Sequence, residues 1–487
     1  MKRYIWGRII RSLISIFLVT SIVIVMLYTM IDSMKPFEND QTYTKMKGDA
    51  KTVYRLSKQE ELGYLDYVSQ AEMCDSADVD HNACKLNTTN SDFIAAKEYY
   101  EKKGYTIGYL ALGTAYATRN YNAFELLANF WGHFIVIDNK NAVKDDTIER
   151  KYYFGQTEAG MPALKCSGCN YKYQVYIDGK FPFIHQHVIS LNFGISYPVK
   201  AGTPALQVIS DGQGSQVQTE QTFPSGKVLN SATILTSCKY KSSLDDLEKS
   251  KFNDNYADCL SSYESPSMIN TSYIFGILSL ILEYLIGLPA GMAMARNKDK
   301  LVDKIGIVYI NVLIAVPSLA FIFFMKQIGF SLGLPDKFPQ LGFGDVRSYI
   351  MPVVILGLLG TPGLMMWARR YMIDQSNSDY VKFARAKGLS EREIFRKHIL
   401  KNAIIPFVNG IPASIILAIS GAYITESVFA IPGMGKMLPD SIARTNLRMV
   451  ICLIFIYTAL AVFSVLLGDI LMTWIDPRIK LSAGGNE

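Results

Sequence analysis

Six cysteines in one polar stretch, one carboxylate inside an apolar run and a cationic segment between two others are the residues here with chemistry to do. Cys74, Cys84, Cys166, Cys169, Cys238 and Cys259 fall between residues 33 and 269, and the seventh, Cys452, falls in an apolar run. An even set of this kind forms disulfides in an oxidising compartment. Local pairing 74–84, 166–169 and 238–259 is the simplest connectivity, and spacing leaves the others open. Cys166-Ser-Gly-Cys169 is also half of a zinc or redox site. No second Cys-x-x-Cys completes it, and the nearest histidines, His185 and His187, sit in a strand-like run. Glu283 lies midway along the apolar run 271–293. A charge facing lipid there costs roughly 2.5–3.5 kcal/mol, so Glu283 is predicted to face a bundle interior. There it pairs with a partner subunit, lines a path that meets the amino terminus or basic side chains of a cargo, or is protonated in a structural role. Lys326 and Asp469, near the ends of apolar runs, can snorkel and receive no transport role. Nothing matches Gly-x-x-x-x-Gly-Lys-[Ser/Thr] or sets a nucleophile beside a base, so no catalytic residue, metal or cofactor is expected.

These residues need a membrane to position them. Hydrophobic residues make up 49% of the 487, yet 19% are charged, and the two classes are unevenly distributed. Residues 33–269 hold 24 Lys and Arg against 28 Asp and Glu, and the remainder 25 against 15. A mildly acidic domain is therefore set inside a basic membrane protein. The positive-inside rule accounts for that excess without any nucleic acid. Six runs approach the ~20 residues that a bilayer core requires: 9–31, 271–293, 305–329, 349–367, 403–424 and 449–474. The first is long for a signal peptide and no Ala-x-Ala-like site follows it, so it reads as an uncleaved anchor. Arg296, Lys298, Lys300 and Lys304 mark one short loop; Arg369, Arg370, Lys382, Arg385, Lys387, Arg392, Arg396, Lys397 and Lys401 mark another. These loops go to the cytoplasm with both termini, which leaves 33–269 extracellular.

Four segments follow: 1–32 with the first span, an extracytoplasmic domain 33–269, a helical core 270–474 and a tail 475–487. In the domain, 95–105 and 123–131 read as helices. Residues 171–177 and 183–191 read as strands around the turn Asp178-Gly179-Lys180. Abundant tyrosine suits peptide contact and equally suits a half-buried sheet. Pro289, Pro317, Pro352, Pro362, Pro406 and Pro412 lie in or beside apolar runs, where neighbouring helices or a wet cavity must satisfy the freed carbonyls. Gly287 and Gly291 have the spacing for close helix approach. Between two spans, 379–408 reads as a helix, a glycine turn at Gly388 and a second helix capped by Ser390 through Glu393. Ala384 and Gly388 would keep the segment thin.

The segment resembles the coupling loop of permease subunits of ABC importers. Lys382-Phe383-Ala384-Arg385-Ala386-Lys387-Gly388 stands where the family has Glu-Ala-Ala-x-x-x-Gly, departing at Lys382 and Phe383. Leu389, Ser390 and Glu391 complete the Ala-Arg-Ala-Lys-Gly-Leu-Ser-Glu of its dipeptide/oligopeptide branch. Glu426-Ser-Val-Phe-Ala-Ile-Pro-Gly-Met-Gly435, Asp476-Pro-Arg-Ile479 and Gly287-Leu-Pro-Ala-Gly291 resemble three further blocks of that branch. Phe193–Ser196 and Gly202–Pro204 resemble its short segment before the second span, with insertions on both sides. The resemblance implies an α-helical polytopic membrane protein with six transmembrane helices, the type I ABC importer permease fold, and a large α/β extracytoplasmic domain between helices 1 and 2. It further implies an oligopeptide import subunit, not itself an enzyme, working in the cell membrane. Its partners would be a homologous second permease, two cytoplasmic ATPases that seat residues 382–391, and an extracellular lipid-anchored peptide-binding protein. A permease for nickel, glutathione or another small solute, and a non-transporting mechanotransmission or sensor protein, are the alternatives.

Overall fold

The computed structural model describes residues 2–76, 79–179, 183–418 and 421–475. Lys180 of the expected turn, the Asp476–Ile479 block and the tail lie outside the described residues. Helix α1 runs Lys2–Met30, unbroken because no proline or glycine follows Gly7. In the polar segment, α2 (Ser91–Lys102) is capped by Asn90, and α3 (Ala123–Gly132) by a reciprocal box between Asn122 and Glu125. Both match the predicted helices to within a few residues. Strands β1 (Leu65–Ser69), β2 (Thr106–Tyr109) and β3 (Ala115–Asn120) form an antiparallel sheet in the order β1-β3-β2. Against it pack Phe93, Ala96 and Tyr100 of α2, around the buried Cys74–Cys84 disulfide.

Next come β4 (Ile135–Ile137), β5 (Lys151–Gln156), β6 (Pro162–Ser167), β7 (Tyr173–Tyr176), β8 (His185–Gln186) and β9 (Ile189–Leu191). The expected strand 183–191 is in fact two. β8 closes the sheet β5-β6-β7-β8, and β9 pairs with β4. Alternating hydrophobicity reports which face a side chain takes, not which strand it pairs with, so the change of partner left no mark. His187 stacks on Tyr171 at 4.1 Å between centroids, which spends it as a ring in the core. The Cys166–Cys169 and Cys238–Cys259 disulfides also form, so all three local pairings are present.

The apolar helices are α4 (Met268–Arg296), α5 (Leu301–Ala315), α6 (Ser318–Ser331) and α7 (Arg347–Ser376). After them come α8 (Asp379–Ala386), α9 (Glu391–Ile394), α10 (Ile405–Leu417), α11 (Tyr423–Val428) and α12 (Leu447–Ile475). Among the described residues, α1, α4, α7 and α12 are each long and apolar enough to cross a bilayer. The expected third span instead breaks by 106° between α5 and α6. Pro317 forces Val316 out of the helical region and supplies no N–H, and each arm rises only a little over 20 Å. A second pair, Glu391–Ala403 with α10, bends by 45°. Pro289, Pro352, Pro362 and Pro412 are by contrast carried inside helices. Lys326 does not snorkel: its Nζ donates to the Val428 carbonyl at 3.0 Å and lies over the Phe429 ring. Asp469 pairs with Arg8.

Two compact units result. One gathers Met1–Val19, Ser265–Asp440 and the chain from Leu453; the other gathers Thr20–Glu264 with Ser441–Cys452. The second unit is thus wider than the polar segment 33–269. Within it, Asn446 donates to Ser196 and accepts from the Tyr197 N–H, so the segment from Phe193 is held by residues just before α12. Alkylation of the denatured, unreduced chain should label a single thiol, Cys452, and six more after reduction. Any label on the other six before reduction contradicts the pairing.

Candidate functional site

A cavity of about 330 Å³ lies among α4, α7, α10 and α11. Small and hydroxyl side chains dominate it, Ser279, Gly276, Ser414 and Ala418 among them, with Phe275 and Leu356 as apolar walls. The structure sets Glu283 on this wall, half-buried, and no donor among the described residues hydrogen-bonds its carboxylate. A methyl at Gly360 would collide with that carboxylate, so the α7 glycine makes its room.

At one end of the cavity the Glu426–Gly435 block folds around a carboxylate. Glu426 is 3% exposed; its Oε1 accepts from the Ser272 hydroxyl at 2.7 Å and its Oε2 from the Lys436 N–H at 3.0 Å. Ser272 in turn accepts from the Met434 N–H at 2.7 Å. This explains the glycines of the block. A Cβ on Gly433 would come within 2.6 Å of Ser272 Oγ, and one on Gly435 within 2.9 Å of Glu426 Oε2. Sequence reading recognised the block by resemblance and missed Ser272, since one serine near the start of an apolar helix carries no distinguishing signal.

Helices α4 and α7 make the most extensive contact of the apolar core. A methyl on Gly291 would come within 2.7 Å of both the Ala368 Cβ and the Met365 carbonyl, and one on Gly287 within 3.1 Å of Leu364. The spacing was therefore legible; its partner was not. On α7, Gly357 returns the favour, receiving Leu282. At the same end as Gly291, Arg369 holds the buried Asp303 with two bonds of 2.6 and 2.8 Å. Arg369 is thus paired rather than a free loop cation. An acid in so basic a loop was the signal for it.

The segment 379–394 rests on this end. Val381 and Ala384 of α8 are buried with Met372 of α7, Ile394 of α9, Ile399 and Ala403, while Phe383 is 67% exposed. Ala384 is small because it is packed. Gly388 has open space where a side chain would be and is needed for its φ of +80°. Neither residue acts by thinness. Ser390 caps α9 by accepting from the Glu393 N–H at 3.3 Å, but only half the expected box forms, because Glu393 turns to Lys397 at 2.6 Å. Across the turn Arg385 grips Glu391 at 2.7 and 3.2 Å and holds its carboxyl below the usual range. Lys382 pairs with Asp379, and α9 continues into a wider π turn, Phe395–Ile399.

Residues 287–481 match the family described as binding-protein-dependent transport system inner membrane component. The chain is 43% identical to the oligopeptide transport system permease protein AmiC of Streptococcus pneumoniae, over an alignment of 504 residues covering 100% of both. It is 35% identical over 208 residues to the dipeptide transport system permease protein DppB of Lactococcus lactis. It is 30% identical over 216 residues to the oligopeptide transport system permease protein AppB of Bacillus subtilis. Each of these two alignments covers 42% of this chain and 67% of the relative. The carboxylate-centred loop lies inside the matched region, and its geometry is testable. Gly433→Ala should lower thermal stability by the equivalent of roughly 1–3 kcal/mol, and Ser272→Ala by less. An unfolding temperature for Gly433→Ala equal to the parent's would refute the steric account.

Proposed function

The chain belongs to the binding-protein-dependent transport inner-membrane family and is a permease subunit of an ABC oligopeptide importer. From that premise we propose that the Glu283 cavity is part of the peptide route and that residues 382–391 couple it to a cytoplasmic ATPase. The protein is membrane-embedded and hydrolyses no ATP itself; hydrolysis belongs to its partner subunits. Identity to AmiC across the entire chain, polar segment included, favours peptide over smaller solutes.

In this reading the four long helices and the two bent pairs make six spans, with both termini cytoplasmic and 33–269 extracellular. The three disulfides suit an oxidising exterior. A second, homologous permease completes the pathway, two ATPases bind on the inside, and a lipid-anchored binding protein delivers peptide outside. The observation that carries the coupling assignment is the contrast on α8. Val381 and Ala384 fasten the helix to the core while Phe383 stands in solvent beside Lys382, a ring with no partner among the described residues. Lys382, Arg385, Ala386, Lys387, Gly388, Leu389, Ser390 and Glu391 shape and stiffen the segment around that ring.

ATP-driven closure of the ATPases would push α8, and the core would pass the displacement to α4 and α7. Glu283, without a partner among the described residues, would meet the amino terminus or basic side chains of the passing peptide. The cavity's hydroxyls and small residues bind no one side chain tightly, which suits varied sequences.

Gly388→Val should abolish uptake of a labelled peptide while the chain stays in the membrane, because a β-branched residue is strained at this φ. Phe383→Asp should do the same by removing the docking ring; normal uptake in both would sink the coupling assignment. Glu283→Gln should raise the half-saturating concentration for peptides with a free amino terminus more than for acetylated ones. Parent kinetics for both would leave Glu283 a structural role.

A further inference from the structure

Strands β4 and β9 form a two-stranded ribbon inside the unit that holds the polar segment, and no third strand joins it among the described residues. The register sets Ile135 opposite Leu191 and Ile137 opposite Ile189. Residues so paired share a face, so four aliphatic side chains stand together. Ile135, Leu191, Ile137 and Ile189 are 58%, 37%, 60% and 54% exposed. Phe134 and Asp138, on the opposite face, are buried, and the Asp138 carboxylate accepts from the Asn170 and Tyr171 N–H groups. A strand covered on one face alternates apolar with polar residues. Phe134-Ile135-Val136-Ile137 is apolar on both faces, as strands covered on both faces are.

The backbone shows what kind of group is missing. The Asp138 N–H donates to the Val188 carbonyl and the Asn192 N–H to the Phe134 carbonyl, both at 2.8 Å. Antiparallel bonding alternates, so the N–H and C=O groups of Ile135 and Ile137 point away from β9, to the outer edge of β4. No described residue meets them there. The edge of β9 is treated differently. At Ile189 the Gln186 side chain accepts from the N–H at 2.9 Å and donates to the carbonyl at 3.0 Å, as a neighbouring strand would. Open edges are ordinarily blunted by such a cover, or by lysine, proline or a bulge. Strand β4 has none of these.

We propose that the β4 edge takes an extended oligopeptide as an added strand, its main chain on Ile135 and Ile137 and alternate side chains over the four aliphatic residues. The occupant is extended because the free groups are those of a strand. It is small because four side chains and one short edge fall far below the roughly 800 Å² per partner of a stable protein complex. Main-chain bonding also tolerates varied sequences. The site shares no residue with the Glu283 cavity. It rests on the reading of the chain as a peptide permease only for the identity of its ligand.

The test uses the full-length chain in its assembled complex, with Leu191, at the margin of the face, replaced by benzoylphenylalanine. The probe is a radiolabelled hexapeptide of alternating valine and threonine. Irradiation should give an adduct of one peptide mass. Full N-methylation of the peptide backbone should abolish it, whereas methylation of every second amide, which leaves one edge free, should not. Ile137→Pro removes an outward N–H without breaking a bond to β9, and should lower the yield about ten-fold. Ile137→Val should keep it. No peptide adduct, or one indifferent to full methylation and to Ile137→Pro, overturns the proposal. So does an adduct with a second copy of the chain or with another subunit in place of peptide. The methylated peptides are read on the chain without the proline, so the test stands even where that variant fails to assemble. Normal import without an adduct faults this site, and a normal adduct without import faults the transport route.

Discussion

A carboxylate out of reach of water is tolerable only where donors meet it, and the apolar core is arranged around one that they do meet. Glu426 takes a hydroxyl from α4 and a backbone N–H from the loop after α11, and three glycines, 421, 433 and 435, stand back to admit it. The loop so folded becomes the junction of its unit. Met434 offers its carbonyl to Tyr457 of α12, Phe429 offers its own to the Phe338 N–H, and Val428 accepts from Lys326 of α6. Removing the carboxylate would leave a buried hydroxyl and an N–H without acceptors, which costs more than the bonds themselves.

The other end of the same unit is held by contact area and one ion pair. Glycines let α4 and α7 approach until backbone and methyl groups touch, where dispersion is strongest. Arg369 and Asp303 then fasten α7 to the start of α5. Helix α7 is continuous from Arg347 to Ser376. Gly360, beside Glu283, and Met372, beneath the coupling segment, are 12 residues apart on it, about 18 Å. One helix thus carries the cavity wall at one station and the seat of segment 379–394 at the other, which suits the proposed cycle. Pro362 between those stations is the place for it to flex.

Much of this was legible in order along the chain. Apolar runs marked helices because a bilayer demands about 20 such residues whatever their neighbours do. Cysteines close in sequence paired locally, and Gly388 marked a left-handed turn that other residues resist. The failures share a cause. Pro317 looked like the prolines that α4 and α7 absorb, but it bends the expected third span by 106°. Residues 183–191 alternated like one strand and served two sheets. Whether a proline kinks or breaks, and which strand a strand joins, depends on neighbours absent from the local pattern.

Sequence by itself determined the membrane class, the charge asymmetry and the position of the left-handed turn at Gly388, and it made the local disulfide pairing the simplest choice. Each follows from composition or from bonds between residues close in the chain. Tertiary structure alone decided that Ser272 answers Glu426 across 154 positions, that Asp303 takes Arg369 out of solution, and that Lys326 turns to the Val428 carbonyl. Those are questions of charge satisfied or unsatisfied at a point in space, and no spacing along the chain encodes which donors will arrive there.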